Sequence, residues 1–215
     1  MKRTIAIISL LFCLAALYGQ RSTTSSNFRG GVRAGMTATQ ISGDDLMGFH
    51  QIGATAGLFA AYPLNDRDNL KLQAEIDFTM KGSRNYIPPK QAADPSAKYV
   101  LTLGYLELPV LLKWKFARIT IMGNSDFEFE AGPVFGINIF KKERDAYGII
   151  SGRPDFRTFE FSVMAGLSWM FNEHHGLSLR YANSIIPVRI PNWAINRRIK
   201  KQYNSVLLFS YFYQF

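Results

Sequence analysis

The 215-residue chain has one cysteine, three histidines and no apolar run that reaches the roughly eighteen residues a spanning helix needs. Each shortage removes a class of function. Cys13 lies inside the apolar run Ile5–Tyr18, which follows Lys2 and Arg3 in the pattern of a secretory signal peptide over residues 1–20. Cleavage near Gly19 or Gln20 leaves no thiol, so disulfides and thiol catalysis are excluded. A lipidated Cys13 is the alternative, but Phe12 is too bulky for the small-residue processing site and the apolar run continues past it. His174 and His175 are neighbours whose side chains diverge on a strand, and no third ligand stands at metal spacing. His50 lies near Ser42, Asp44 and Asp45 without any nucleophile motif. The chain therefore reads as no enzyme, with no metal and no cofactor. Its formal charge is +9 and stays strongly positive when Lys2 and Arg3 are removed. With no basic helix, RNA-binding signature or zinc-finger spacing, that excess does not mark a nucleic-acid binder.

What the chain does have is alternation, with 17 Phe, 10 Tyr and 3 Trp to mark its ends. From Tyr99 to Phe116 the even positions are Val100, Thr102, Gly104, Leu106, Leu108, Val110, Leu112, Trp114 and Phe116, while Glu107, Lys113 and Lys115 fall on the odd face. On a strand these sets point to opposite sides. A fully charged face opposite an apolar face ending in Trp and Phe suits a transmembrane strand, with lipid outside and a polar lumen inside. Pro109 has no N–H for the ladder, so a bulge or locally broken pairing is expected there.

Residues 21–27 form a short Ser/Thr-rich lead, and the barrel segment runs over 28–215. The remaining predicted strands are 28–39, 52–62, 70–81, 126–140, 158–171, 176–185 and 202–215, making eight in all. In 70–81 one face is Leu70, Leu72, Ala74, Ile76, Phe78 and Met80 and the other Lys71, Gln73, Glu75, Asp77, Thr79 and Lys81. Long and short connections alternate, as in outer membrane barrels with periplasmic termini and four long extracellular loops. The fold class is therefore all-β: an eight-stranded antiparallel transmembrane β-barrel, an up-and-down meander. The alternate aromatics ending on Phe215 resemble the C-terminal signal read by the outer membrane assembly machinery. A soluble lipocalin-like barrel is the alternative, and it would reverse the sense of alternation, apolar inside.

The string YLELPVLLK, Tyr105–Lys113, resembles the central strand of the PorT-like outer membrane β-barrel family common in Bacteroidota. The resemblance implies an eight-stranded barrel in a family most of whose members are labelled only as porin family. Named PorT members take part in type IX secretion, so an accessory role there is one alternative reading. A small-solute porin, from the family's usual label, is another.

An eight-stranded barrel has an interior about wide enough to be filled by side chains, and buried charges persist only when paired. The inward acids are Glu75, Asp77, Glu107, Glu128, Glu130 and Glu160; the inward bases are Arg29, Arg33, Lys71, Lys81, Lys113, Lys115 and Arg180. Their near balance predicts a plugged lumen in which Arg33, Glu75, Asp77, Glu107 and Arg180 belong to one charge network. A proton or ion path along the same residues is the functional alternative. The predicted fourth long loop, 186–201, carries Arg189, Arg197, Arg198, Lys200 and Lys201 beside Trp193, with no acid. Two readings stand for it: a basic rim pairing with lipopolysaccharide phosphates, or a docking surface for a secretion or envelope protein. The protein so read is a membrane-anchored structural or interaction protein among outer membrane lipids.

Overall fold

The computed structural model describes residues 28–43, 48–85, 99–119, 125–145, 147–150, 156–189 and 201–215. Nine strands form: β1 (Arg29–Ser42), β2 (Gln51–Pro63), β3 (Leu70–Arg84), β4 (Tyr99–Ile119), β5 (Ser125–Asp145), β6 (Gly148–Ile149), β7 (Phe159–Met170), β8 (His175–Ser184) and β9 (Tyr203–Gln214). The expected count of eight is thus corrected to nine. The extra strand arises because β5 does not stop near Phe140: it runs on to Asp145, and the two-residue β6 folds back on Arg144 and Asp145. Part of the predicted 141–157 loop is therefore sheet.

Every pairing is antiparallel between sequence neighbours, apart from β1 with β9 and the direct β5–β7 pairing that passes over β6. Because β4 pairs with β5 as well as β3, the series of pairings returns on itself. At Pro109 the register is continuous on both sides, but the β3–β4 ladder omits the two pairs at Leu108 and Pro109, the broken pairing that a missing N–H demands. The bulges fall elsewhere. On the β4–β5 ladder Gly104 faces Phe140 while Tyr105 faces Asn138, and Lys115 faces Glu128 while Ala117 faces Phe127, leaving Ile139 and Phe116 as the extra residues.

Side chains alternate in the sense opposite to a lipocalin. Leu72, Ile76, Phe129, Leu167, Trp169, Leu179 and Phe209 are 41–55% exposed, while Arg33, Lys71, Glu75, Asp77, Lys81, Glu130 and Arg180 are at most 4% exposed. Burying one large aliphatic or aromatic side chain is worth about 1.5–3 kcal/mol. An outer face carrying so many of them is stable only against an apolar medium. Aromatic contacts gather towards the end that carries the short turns, among them Phe127–Trp169, Trp169–Phe171, Phe116–Phe127 and Phe28–Tyr62. That is the placement of an interfacial girdle.

The interior is layered. Reading the inward positions of β9 from its end, Phe212 packs with Phe59 and Met170; Ser210 meets Arg33; Leu208 and Val206 pack with Leu111, Val134, Met164 and Ala182; Asn204 meets Glu160. Beyond these lies a third apolar layer of Ile41, Leu101, Leu103, Tyr105, Phe156 and Val188. The sequence pattern missed these apolar layers, because it assigned the odd face of β4 to charge alone.

Candidate functional site: a charge-paired interior

Alternation carries the ionisable side chains of β1, β3, β4, β5, β7 and β8 inward, and two separate clusters result. In the first, Arg180 on β8 donates to both acids that flank it. Its Nη1 lies 2.7 Å from Glu75 Oε2, its Nε 2.6 Å from Glu130 Oε1 and its Nη2 2.8 Å from Glu75 Oε1. Arg33 Nη1 lies 2.5 Å from Glu75 Oε2 and 3.6 Å from Asp77, and its Nη2 donates to Ser210 at 2.6 Å. Gln73 also donates to Glu75. From Glu130 the cluster continues through Lys113 (3.4 Å) to Glu128 (3.0 Å), which accepts from Lys71 at 2.7 Å. Four acids and four bases are joined in one connected set.

The second cluster has a single cation. Lys81 Nζ lies 2.7 Å from Glu107 and 2.7 Å from Glu160, with the Tyr105 ring 4.7 Å away. Glu160 also accepts from Ser162 at 2.6 Å and Asn204 at 2.7 Å. Of the five predicted network residues, Arg33, Glu75, Asp77 and Arg180 meet, whereas Glu107 does not join them. The register sets Glu107 directly opposite Asp77, but its ion pair is with Lys81, further along β3.

The first cluster balances its charges and leaves almost no space. Between Arg33, Gln73, Lys113, Glu128, Arg180 and Phe212 remains a cavity of about 10 Å³, room for about one water. Glu128 and Glu130, adjacent inward acids of one strand, are occupied as partners of Lys71, Lys113 and Arg180. At the short-turn end a rim of pairs, Arg29–Asp68 (2.8 Å), Lys115–Asp126 (2.8 Å) and Arg118–Asp126 (2.7 Å), borders an open bowl of about 460 Å³. Arg29 and Lys115, expected in the lumen, are the rim partners. His174 there bonds the Gln214 carbonyl at 2.9 Å, a turn contact. Among the described residues no group of three or more His, Cys, Asp or Glu side chains is arranged to hold a metal.

The fourth-loop residues divide. Trp193, Arg197, Arg198 and Lys200 lie outside the described residues, and Lys201 is exposed. Arg189, expected on the loop surface, is corrected to an interior residue, 3% exposed. It pairs with Glu143 at 3.3 Å, lies 4.5 Å over the Phe156 ring, and bridges Phe156 and Gln202 through its backbone. Val188, wholly buried, packs beneath it in the outermost apolar layer. Glu143 was missed for the same reason as β6: the extension of β5 is not visible in a run of charged residues. One signal was present, the successive apolar pair Ile139–Phe140, which breaks a period of two and marks the bulge.

A family model described as "Outer membrane protein beta-barrel domain" matches residues 18–188. Solved structures similar in fold include Ail, the attachment invasion locus protein of Yersinia pestis, in complex with the heparin analogue sucrose octasulfate. The match has 10% identity over 88% of this chain and 99% of that one, with a TM-score of 0.48. Neisserial surface protein A matches at 16% identity over 88% and 98%, TM-score 0.49. OprG of Pseudomonas aeruginosa matches at 12% over 87% and 94%, TM-score 0.41. No curated protein matches the sequence.

Proposed function

Because the chain belongs to the family of outer membrane protein β-barrel domains, we propose that its eight long strands close into a transmembrane barrel serving as a structural or interaction protein, not as a pore. The observation that carries this reading is the pairing of the interior charges, with apolar layers packed between and beyond them. A solute path would need water among those charges, and a cavity of about 10 Å³ offers almost none. The short turns at 64–69 and 171–174 lie at the same end as Phe28 and Phe215, which supports a periplasmic placement of that end. In this reading residues 1–20 are the signal peptide and 21–27 the periplasmic lead.

Refolded protein in planar bilayers tests it. The expected record is flat; steady openings whose size depends on the added solute would refute the plugged interior and restore the porin reading. The finer resemblance to PorT-like proteins rests on Tyr105–Lys113, and a secretion role rests on it alone. Photo-crosslinking in cells from position Trp193 addresses that role: lipopolysaccharide adducts are expected, and a discrete protein adduct would favour the secretion reading instead.

A further inference from the structure

Above the lipid-facing part of the barrel, β3, β4 and β5 continue past their neighbours as a three-stranded ribbon. Its outward face can be read row by row from the register. Met80, Gly104 and Phe140 form one row, Gly82, Thr102 and Lys142 the next, and Arg84, Val100 and Arg144 the last. The bulge at Ile139 decides this. Below it the odd residues of β5 face outward, as Phe135 and Ile137 do; above it the even residues do, so that Lys142 and Arg144 turn out while Glu143 turns in towards Arg189.

Arg84 and Arg144 flank Val100, with their backbones about 10 Å apart by two strand spacings, and Lys142 lies about 7 Å along the strand from Arg144. The row between them holds the small residues Gly82, which is buried, and Thr102, which is half-buried, so that only a shallow saddle can lie there. Gly82 has φ +155°, and a Cβ there would meet the Leu101 carbonyl oxygen at 2.0 Å, so the saddle cannot readily be filled. All three cations are exposed, and among the described strand residues they alone of the cations make no ion pair or hydrogen bond through their side chains. Like charges held about 7–10 Å apart on one face repel, so the cluster is a cost to the isolated molecule. The row beneath is an aromatic belt: Phe140 lies over Gly104 and stacks on Phe78 with ring centroids 6.4 Å apart. Such rings sit at the boundary between hydrocarbon and headgroups. The cations stand one and two rows beyond it, about 7–14 Å, at the level of lipid phosphates.

We infer that Arg84, Lys142 and Arg144 form an outward-facing site for the phosphate groups of a phosphorylated glycolipid in the outer leaflet. The inference rests on the orientation proposed above. Two guanidinium groups and an ammonium around a small-residue saddle supply the forked and point-charge donors that phosphate oxygens accept. The charged lumen, on the opposite face of these strands, does not contribute to it.

The test titrates refolded protein in neutral-detergent micelles with bisphosphorylated lipid A and reads bound lipid by native mass spectrometry. Arg84→Gln/Lys142→Gln/Arg144→Gln is expected to lose affinity on the order of 100-fold, about fivefold for each cation. The single variant Arg144→Gln should lose about fivefold, which keeps the test open should the triple variant fold poorly. Arg157→Gln, an exposed cation outside the rows, should bind as the wild type does. Dephosphorylated lipid A should bind as weakly as lipid A binds the triple variant, and inorganic phosphate should not compete at millimolar concentration. Unchanged binding by the variants, equal binding of the dephosphorylated lipid, or effective competition by inorganic phosphate would each overturn the site. Gel mobility with and without heating separates the two levels. Wild-type protein that never yields the compact, heat-sensitive form defeats the barrel itself, whereas a normal barrel without the phosphate preference defeats only this inference.

Discussion

Replacing Arg180 by Met removes the cation that ties Glu75 to Glu130. Its guanidinium donates to Glu75 at 2.7 and 2.8 Å and to Glu130 at 2.6 and 3.0 Å, with all three side chains at most 3% exposed. Removing one partner of a buried ion pair costs about 3–5 kcal/mol, because the other charge is left without compensation. Here neither acid is wholly abandoned, since Glu75 keeps Arg33 at 2.5 Å and Glu130 keeps Lys113 at 3.4 Å. The expected loss for Arg180→Met is therefore at the lower end, about 3 kcal/mol. Adding Glu130→Gln should recover part of it, because Lys113 retains Glu128 at 3.0 Å. The two changes are thus coupled, as groups in one network are. Urea unfolding of protein refolded into vesicles, followed by tryptophan fluorescence and by gel mobility, measures both quantities. A loss below about 1 kcal/mol for Arg180→Met, or strict additivity of the two changes, would refute the reasoning: the interior would then be wet enough to solvate the acids.

Lys81→Met should cost more than Arg180→Met, because among the described residues Lys81 alone forms ion pairs with Glu107 and Glu160; the same unfolding series checks the order, and the reverse order would contradict the two-cluster description. Gly57→Ala would put a Cβ 1.9 Å from Asp77 Oδ1 and 2.4 Å from the Ile76 carbonyl oxygen. The expected destabilisation is about 1–3 kcal/mol, and wild-type stability would show that β2 and β3 are not packed this closely. Arg189→Ala removes the contacts to Glu143 and Phe156 that hold residues 156–158 and 188–189 in the mouth. Hydrogen exchange of the Arg157, Val188 and Gln202 amides, which bond Val188, Gln202 and Arg189 carbonyls, should accelerate roughly tenfold for a local loss of about 1.4 kcal/mol. Unchanged protection would mean that the apolar layer beneath, not Arg189, holds the segment.

Which face of each long strand meets lipid was determined by the sequence alone, because parity along a strand is a local property. Leu70–Lys81 separates cleanly into an apolar and a polar set, and the inward positions of Arg33, Glu75, Asp77, Glu107 and Arg180 follow from counting by twos. The family-level reading came from the same pattern. Three things were decided only by the tertiary structure. Partner choice was one: Arg180 finds Glu75 across 105 residues and Lys81 finds Glu160 across 79, and Glu107, although directly opposite Asp77 in the register, pairs with Lys81. Local parity was the second, since a single extra residue at Ile139 exchanged the faces of Lys142, Glu143 and Arg144 and made room for β6. The third was closure of the mouth, where Phe156, Val188 and Arg189 leave the solvent because Leu101, Leu103 and Ile41 offer them an apolar floor. A strand's own residues determine which side is wet; only the assembled sheet determines what stands opposite.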